Sequence, residues 1–155
     1  PRVPDPAVLQ LLPPDPATMD LAEAPRIIAG GGGLRGPQDL ALLSRVAAAL
    51  GFSMGATRVI ADAGWVHHDR YIGTTGVAVD PQLYIALGIS GAVQHVTGLG
   101  SPSHVVAVNT DASCPMVAMA DLALVTDAPG LLEELARRFA AVEGASSDGS
   151  PGGAS

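Results

Sequence analysis

Residues 81–95 read Pro81-Gln82-Leu83-Tyr84-Ile85-Ala86-Leu87-Gly88-Ile89-Ser90-Gly91-Ala92-Val93-Gln94-His95, and this stretch decides the fold class. Leu83 to Ile89 is apolar without alternation, as a strand must be when helices cover both faces of its sheet. Ser90-Gly91-Ala92 then turns the chain into a helix through Val93, Val96 and Thr97. A strand feeding a helix across a few small residues is the repeating unit of an α/β domain.

The same unit recurs on either side. Upstream, Arg26-Ile27-Ile28-Ala29 is a short apolar strand that runs into four glycines, Gly30 to Gly33. Pro37 opens a helix with Gln38 and Asp39 in its first turn and Leu40, Leu43, Val46, Ala47 and Leu50 at helical spacing; Gly51 closes it. Gly55-Ala56-Thr57-Arg58-Val59-Ile60 reads as a second strand, and an irregular stretch with Gly64, Trp65 and His67-His68 follows. Downstream, His104 to Val108 is a buried strand ending at Asn109. Met116 to Ala120 is a brief helix, and Leu122 to Val125 a last short strand ending at Thr126-Asp127. Leu131 to Ala140 is an amphipathic helix. Alternation of this kind predicts a single α/β domain with a mostly parallel sheet flanked by helices. Prolines 1, 4, 6, 13, 14 and 16 make residues 1–24 a Pro-rich linker. The Ser/Gly-rich end makes 142–155 a disordered tail. The folded unit is then 25–141. The chain opens on Pro1 and not Met, which suggests an excised piece of something longer.

Composition narrows the function. With 48% hydrophobic and only 15% charged residues among 155, the chain must build a core. The formal charge is −7, and all eight basic residues are Arg. This charge balance argues against nucleic acid and anionic membrane surfaces as partners. No apolar run is long enough to span a bilayer, and no basic start leads into an apolar stretch. The single cysteine, Cys114, rules out an internal disulfide framework and suits a reducing, cytoplasmic compartment. Absence of Lys beside abundant Ala, Gly, Pro and Arg suggests a GC-rich, bacterial coding sequence.

In an open parallel sheet, ligands bind beyond the carboxyl ends of the strands. Those ends here are Gly30–Gly33, Thr57-Arg58, Gly73-Thr74-Thr75-Gly76, Ser90-Gly91, Asn109 and Asp127. The Gly88–Ala92 turn is either a phosphate site at a helix start or a tight turn with Ser90 as an ordinary N-cap. Arg58 serves either a bound anion or a surface ion pair. His95 is either a buried, hydrogen-bonded histidine or a donor to a ligand oxygen. The glycines at 30–33 match neither a dinucleotide fingerprint nor a phosphate-binding loop of the Walker type, which needs a Lys. His67-His68 lacks framing carboxylates, so no metal site is expected. Ser90, His95 and Asp127 lack a nucleophile elbow and the chain order of a hydrolase triad.

Five blocks occurring in order carry a resemblance. They are Gly55-Ala56-Thr57-Arg58, Asp62-Ala63-Gly64-Trp65, Ile72-Gly73-Thr74-Thr75-Gly76, the 81–95 stretch, and Val108-Asn109-Thr110-Asp111. Together, over roughly 26–140, they resemble the C-terminal, FAD-binding domain of the electron transfer flavoprotein alpha subunit. The resemblance implies a Rossmann-like sheet and bound FAD. It implies electron carriage from flavin-linked dehydrogenases, in a setting such as fatty acid β-oxidation, to a downstream acceptor, with a beta subunit completing a heterodimer. By position, Arg58 would face the isoalloxazine, Thr57 the pyrophosphate and Thr75 flavin N5, with Thr74 and Gly76 in the same loop. Ser90, Gly91 and Ala92 would hold pyrophosphate, His95 would donate to the flavin C2 carbonyl, and Asn109 and Asp127 would hold the adenosine half. The chain departs from the family at Gly32, where an Arg is usual, and at Tyr71 and Thr74, where Gln is usual; Thr57 replaces Ser. These departures leave a second reading, a nucleotide-binding (AMP, ADP or NAD) or interaction module without redox activity.

Overall fold

The computed structural model describes residues 15, 16 and 18–140. The expected tail at 142–155 and most of the expected linker lie outside the described residues. Five strands, β1 (Arg26–Gly30), β2 (Ser53–Ala56), β3 (Leu83–Leu87), β4 (His104–Asn109) and β5 (Leu122–Val125), pair in the order β2-β1-β3-β4-β5. Every pairing is parallel. The helices are α1 (Pro37–Leu50), α2 (Arg58–Asp62), α3 (Val93–Thr97), α4 (Pro115–Ala118) and α5 over 128–140.

The unalternating strands have the expected cause. On one face Ile27, Ala29, Tyr84, Ala86, Val105 and Ala107 pack with Leu21, Ile72, Leu99 and Met116. On the other, Ile28, Leu87 and Val108 pack with Leu40, Leu43 and Val46 of α1 and Leu132 of α5. Successive residues of each strand thus serve different cores. α1 starts on Pro37 and stops at Gly51, whose φ of +74° is the left-handed conformation that glycine adopts without strain. Edge strand β5 keeps Leu122 and Val125 exposed.

One expected strand is shorter than read. Residues 55–60 were expected as a strand, but β2 runs from Ser53 to Ala56 and Arg58 begins α2. β1 ends at Gly30, whose carbonyl accepts a last bond from Thr57 N–H at 3.1 Å. Beyond it β2 has no partner strand, so the β-branched pair Val59-Ile60 yields to tertiary context and enters a helix. Before β1, Leu21–Glu23 form one 3₁₀ turn, with Leu21 and Ala24 buried. Ser53 Oγ donates to Pro16 O at 2.9 Å, tying residue 16 to β2.

Candidate functional site

The strand order creates the site. From β1 the chain passes through α1 to β2 on one side; from β3 it passes through α3 to β4 on the other. Loops leaving the carboxyl ends of β1 and β3 therefore diverge and leave a crevice, the place where open α/β sheets bind ligands. A cavity of about 510 Å³ lies there, lined from four strand ends: Gly32 and Gly33 after β1, Thr57 and Arg58 after β2, Gly88 to Ser90 after β3, and Asn109 closing β4. That volume lies within the roughly 300–1,000 Å³ typical of small-molecule sites.

Glycine makes the crevice floor possible. Gly31 N–H donates to Leu87 O at 3.1 Å and Gly33 N–H to Gly88 O at 2.9 Å, so the two loops zip together past the strands. A Cβ at Gly33 would stand 2.7 Å from Gly88 Cα, and Gly88 itself has φ +67°. The far end of the 31–36 loop is pinned by Arg35. Its guanidinium grips Asp39 of α1 through Nε at 3.0 Å and through a terminal nitrogen at 3.0 Å, and the same nitrogen reaches Glu133 of α5. The Arg35 hydrogen bonds hold the buried Asp39 carboxyl below its ordinary range.

Six of the residues read from the sequence meet at this cavity: Thr57, Arg58, Ser90, Ala92, His95 and Asn109. Thr57 lines the cavity, and its Oγ1 is buried without a hydrogen-bond partner. It stands at the N-cap position of α2 without capping the helix. Arg58 lies on the rim, 65% exposed, with Nε 3.3 Å from Asp62 Oδ2, so the surface ion pair is present beside the cavity. Ser90 does not cap α3, whose N-cap is Ala92; its carbonyl instead accepts from Met116 N–H at 3.0 Å. α3 has only five residues, so its dipole is a minor term. The Asn109 amide is engaged at both ends, donating to Ile89 O at 3.2 Å and accepting from Asp111 N–H at 2.9 Å.

His95 is buried, with Nδ1 3.1 Å from Ile72 O and Nε2 bonded to the Tyr84 hydroxyl. Burial pushes its pKa down, against a smaller upward pull from the Ile72 carbonyl. The expectation that it donates to a ligand meets a ring whose nitrogens are both used within the fold.

Thr74, Thr75, Gly76, Gly91 and Asp127 stand outside the cavity lining. Thr75 is one hydrogen bond away, its hydroxyl 3.2 Å from the hydroxyl of Tyr71, which does line the cavity. Gly76 lies over the Tyr71 ring, and Gly91 (φ +94°) against the backbone of Met116. Asp127 caps α5, accepting from Gly130 N–H at 2.9 Å. Tyr71 and Asp62 also line the cavity, outside the residues that the sequence singles out. Asp62 was legible as the residue one helical turn beyond Arg58, once that segment is a helix. Among the described residues no group of three or more His, Cys, Asp or Glu could hold a metal ion.

Known proteins resemble this chain in sequence. Residues 20–100 match the family model described as the electron transfer flavoprotein FAD-binding domain. The chain belongs to this family. Its relatives include the protein FixB of Bradyrhizobium diazoefficiens, 46% identical over 135 residues, which cover 86% of this chain and 37% of that protein. The mitochondrial electron transfer flavoprotein subunit alpha of Oryza sativa subsp. indica is 42% identical over 120 residues, 77% of this chain and 34% of its own length. The electron transfer flavoprotein subunit alpha of Syntrophomonas wolfei is 38% identical over 132 residues, 83% of this chain and 42% of its own. The chain thus spans well under half the length of these relatives. As an electron transfer flavoprotein FAD-binding domain it has FAD as its family cofactor, and the five-stranded parallel sheet is the Rossmann-like one expected. No helix among the described residues is long and apolar enough to cross a membrane.

Proposed function

We propose that this chain is the FAD-holding part of an electron transfer flavoprotein alpha subunit, relaying electrons from flavin-linked dehydrogenases to a downstream acceptor. The observation that carries this reading is the buried, unpartnered hydroxyl of Thr57, a residue that lines the switch-point cavity. A buried polar atom without a partner costs about 1–3 kcal/mol, and a ligand oxygen beside it removes that cost. The residues fit the cofactor in two further ways. Gly32 leaves open space on the cavity side, where a Cβ would meet only Val59 at 4.0 Å. Arg58 supplies a cation at the rim.

Bound FAD supplies an isoalloxazine ring that takes up and releases electrons singly. The chain's own residues do the rest. The Gly32–Gly33 and Gly88–Ala92 segments admit the ligand close to backbone. Thr57 offers a hydroxyl, and Arg58 favours negative charge nearby. Tyr71 holds the Thr75 hydroxyl beside the site. A beta subunit and a dehydrogenase are the partners this reading requires, and the resemblance at 81–95 supports both. A cytoplasmic location is supported by the single, buried Cys114.

Reconstitution with FAD, followed by redox titration of the bound flavin, tests the reading. Expected are a protein-bound flavin spectrum and an affinity for FAD well above that for AMP. Equal affinities in calorimetry would instead favour the nucleotide-binding module without redox activity.

A further inference from the structure

The 71–77 segment is built around its own first side chain. Tyr71 is only 4% exposed and lines the switch-point cavity. The turn that follows closes through Gly76 N–H to Gly73 O at 3.1 Å and Val77 N–H to Tyr71 O at 2.7 Å. Its backbone presses on the Tyr71 ring. A Cβ at Gly73 would stand 2.8 Å from the phenol oxygen, and one at Gly76 would stand 2.5 Å from ring carbon Cδ2. Only glycine allows so close an approach, so the turn is folded over the ring.

The same unit is tied to two walls of the cavity. Ile72 N–H donates to Ala56 O at 2.9 Å, one residue before Thr57. Gly73 meets Gly98 just past α3, where a Cβ on Gly98 would stand 2.6 Å from Gly73 Cα. The phenol oxygen then ends 3.2 Å from the Thr75 hydroxyl. Thr75 is exposed, and an exposed side chain is otherwise free to change rotamer. Its bond to a buried partner removes that freedom. The direction of this bond does not matter. Each hydroxyl has one hydrogen and two lone pairs, so whichever oxygen donates to the other, the pair keeps one O–H and lone pairs for a ligand.

We propose that Tyr71 is a positioning residue of the FAD site. Its ring sets the shape of the 73–76 turn, and its hydroxyl fixes the Thr75 side chain, so the two hydroxyls meet a ligand as one unit. Tyr71 stands where Gln is usual in the family, and an amide there supplies no ring for the turn to fold over. The identity of the ligand rests on the FAD reading; the shape of the turn belongs to the chain alone.

The test uses the full chain with Tyr71→Phe, which keeps the ring, with Thr75→Val, and with the two combined. In calorimetry each single variant is expected to bind FAD about fivefold more weakly, as for one hydrogen bond. The double variant should bind no more weakly than the single ones, because the hydroxyls act together. Losses that multiply to about 25-fold would make the hydroxyls independent and overturn the proposal. So would a Tyr71→Phe affinity equal to that of wild type. Without ligand, amide hydrogen exchange at Gly76 and Val77 should run about fivefold faster in Tyr71→Phe, and faster still in Tyr71→Gln, which removes the ring as well. Unchanged exchange in Tyr71→Phe would overturn the role of the hydroxyl, and equal exchange in the two variants the role of the ring. Failure of wild type to bind FAD would instead sink the FAD reading, while exchange in the unliganded chain still decides what Tyr71 does.

Discussion

Thr57→Val should make the protein more stable and its ligand binding weaker. At most helix starts the same change costs about 0.5–2 kcal/mol, because a capping bond is lost. Thr57 makes no capping bond, although its backbone (φ −85°, ψ 172°) occupies the N-cap position of α2. Its hydroxyl is buried with nothing to bond. The variant replaces that oxygen by a methyl of similar size and keeps the β-branch, so it recovers the low end of the 1–3 kcal/mol penalty, about 1 kcal/mol. In a chain of 155 residues that corresponds to a rise in Tm of roughly 2–4 °C. With FAD present that gain is offset, because the methyl cannot bond a ligand oxygen. A loss of about 0.5–1.5 kcal/mol weakens binding roughly two- to thirteenfold. Urea unfolding read from the fluorescence of the single Trp65, repeated across an FAD titration, measures both effects. A variant less stable than wild type would show that the hydroxyl is satisfied in the free protein. Unchanged FAD affinity would remove Thr57 from the site.

Gly88→Ala should destabilise by about 2–4 kcal/mol, since a side chain at φ +67° costs about 1–2 and the new Cβ would stand 2.8 Å from Gly33 Cα; denaturation midpoints check this, and a loss under 1 kcal/mol would contradict the zipped-loop geometry. Asp39→Asn should cost about 2–3 kcal/mol near neutral pH, less than a fully buried pair because Arg35 is half exposed. Because folding lowers the Asp39 pKa from 3.8, its contribution is complete above that value and is lost as pH falls through the folded value. The gap between wild type and variant should therefore be constant from about pH 5 to 8 and close below about pH 4. Asp62→Ala should change stability by less than about 0.5 kcal/mol, its ion pair with Arg58 being exposed on both sides. The same variant should raise the flavin potential by freeing the Arg58 charge, and Arg58→Ala should lower it; identical potentials in a redox titration would place Arg58 outside the ring's reach.

The sheet was legible because its strands are short, apolar on both faces and separated by helices, a pattern that only a doubly covered sheet satisfies. The unbroken apolar run at Leu83–Leu87 and the Pro37-to-Gly51 punctuation of α1 were both readable locally. Arg58-Val59-Ile60 was not, since whether a β-branched run stays extended depends on whether a neighbouring strand reaches it, and β1 stops at Gly30. Among site residues, Thr57, Arg58, Ser90 and Asn109, at the ends of β2, β3 and β4, came together. Asp127 did not, because β5 lies at the sheet edge, two strands from the switch point, and the carboxylate caps its own helix.

Sequence by itself determined the strand–helix alternation, the family and the rim of the sheet to which small and polar residues are brought, because strand periodicity and turn chemistry act between near neighbours. Tertiary structure alone decided that the Thr57 hydroxyl lacks a partner and that both His95 nitrogens have one. Those facts depend on Ile72 and Tyr84 arriving from other segments, and a hydrogen bond exists only where folding brings donor and acceptor within about 3 Å.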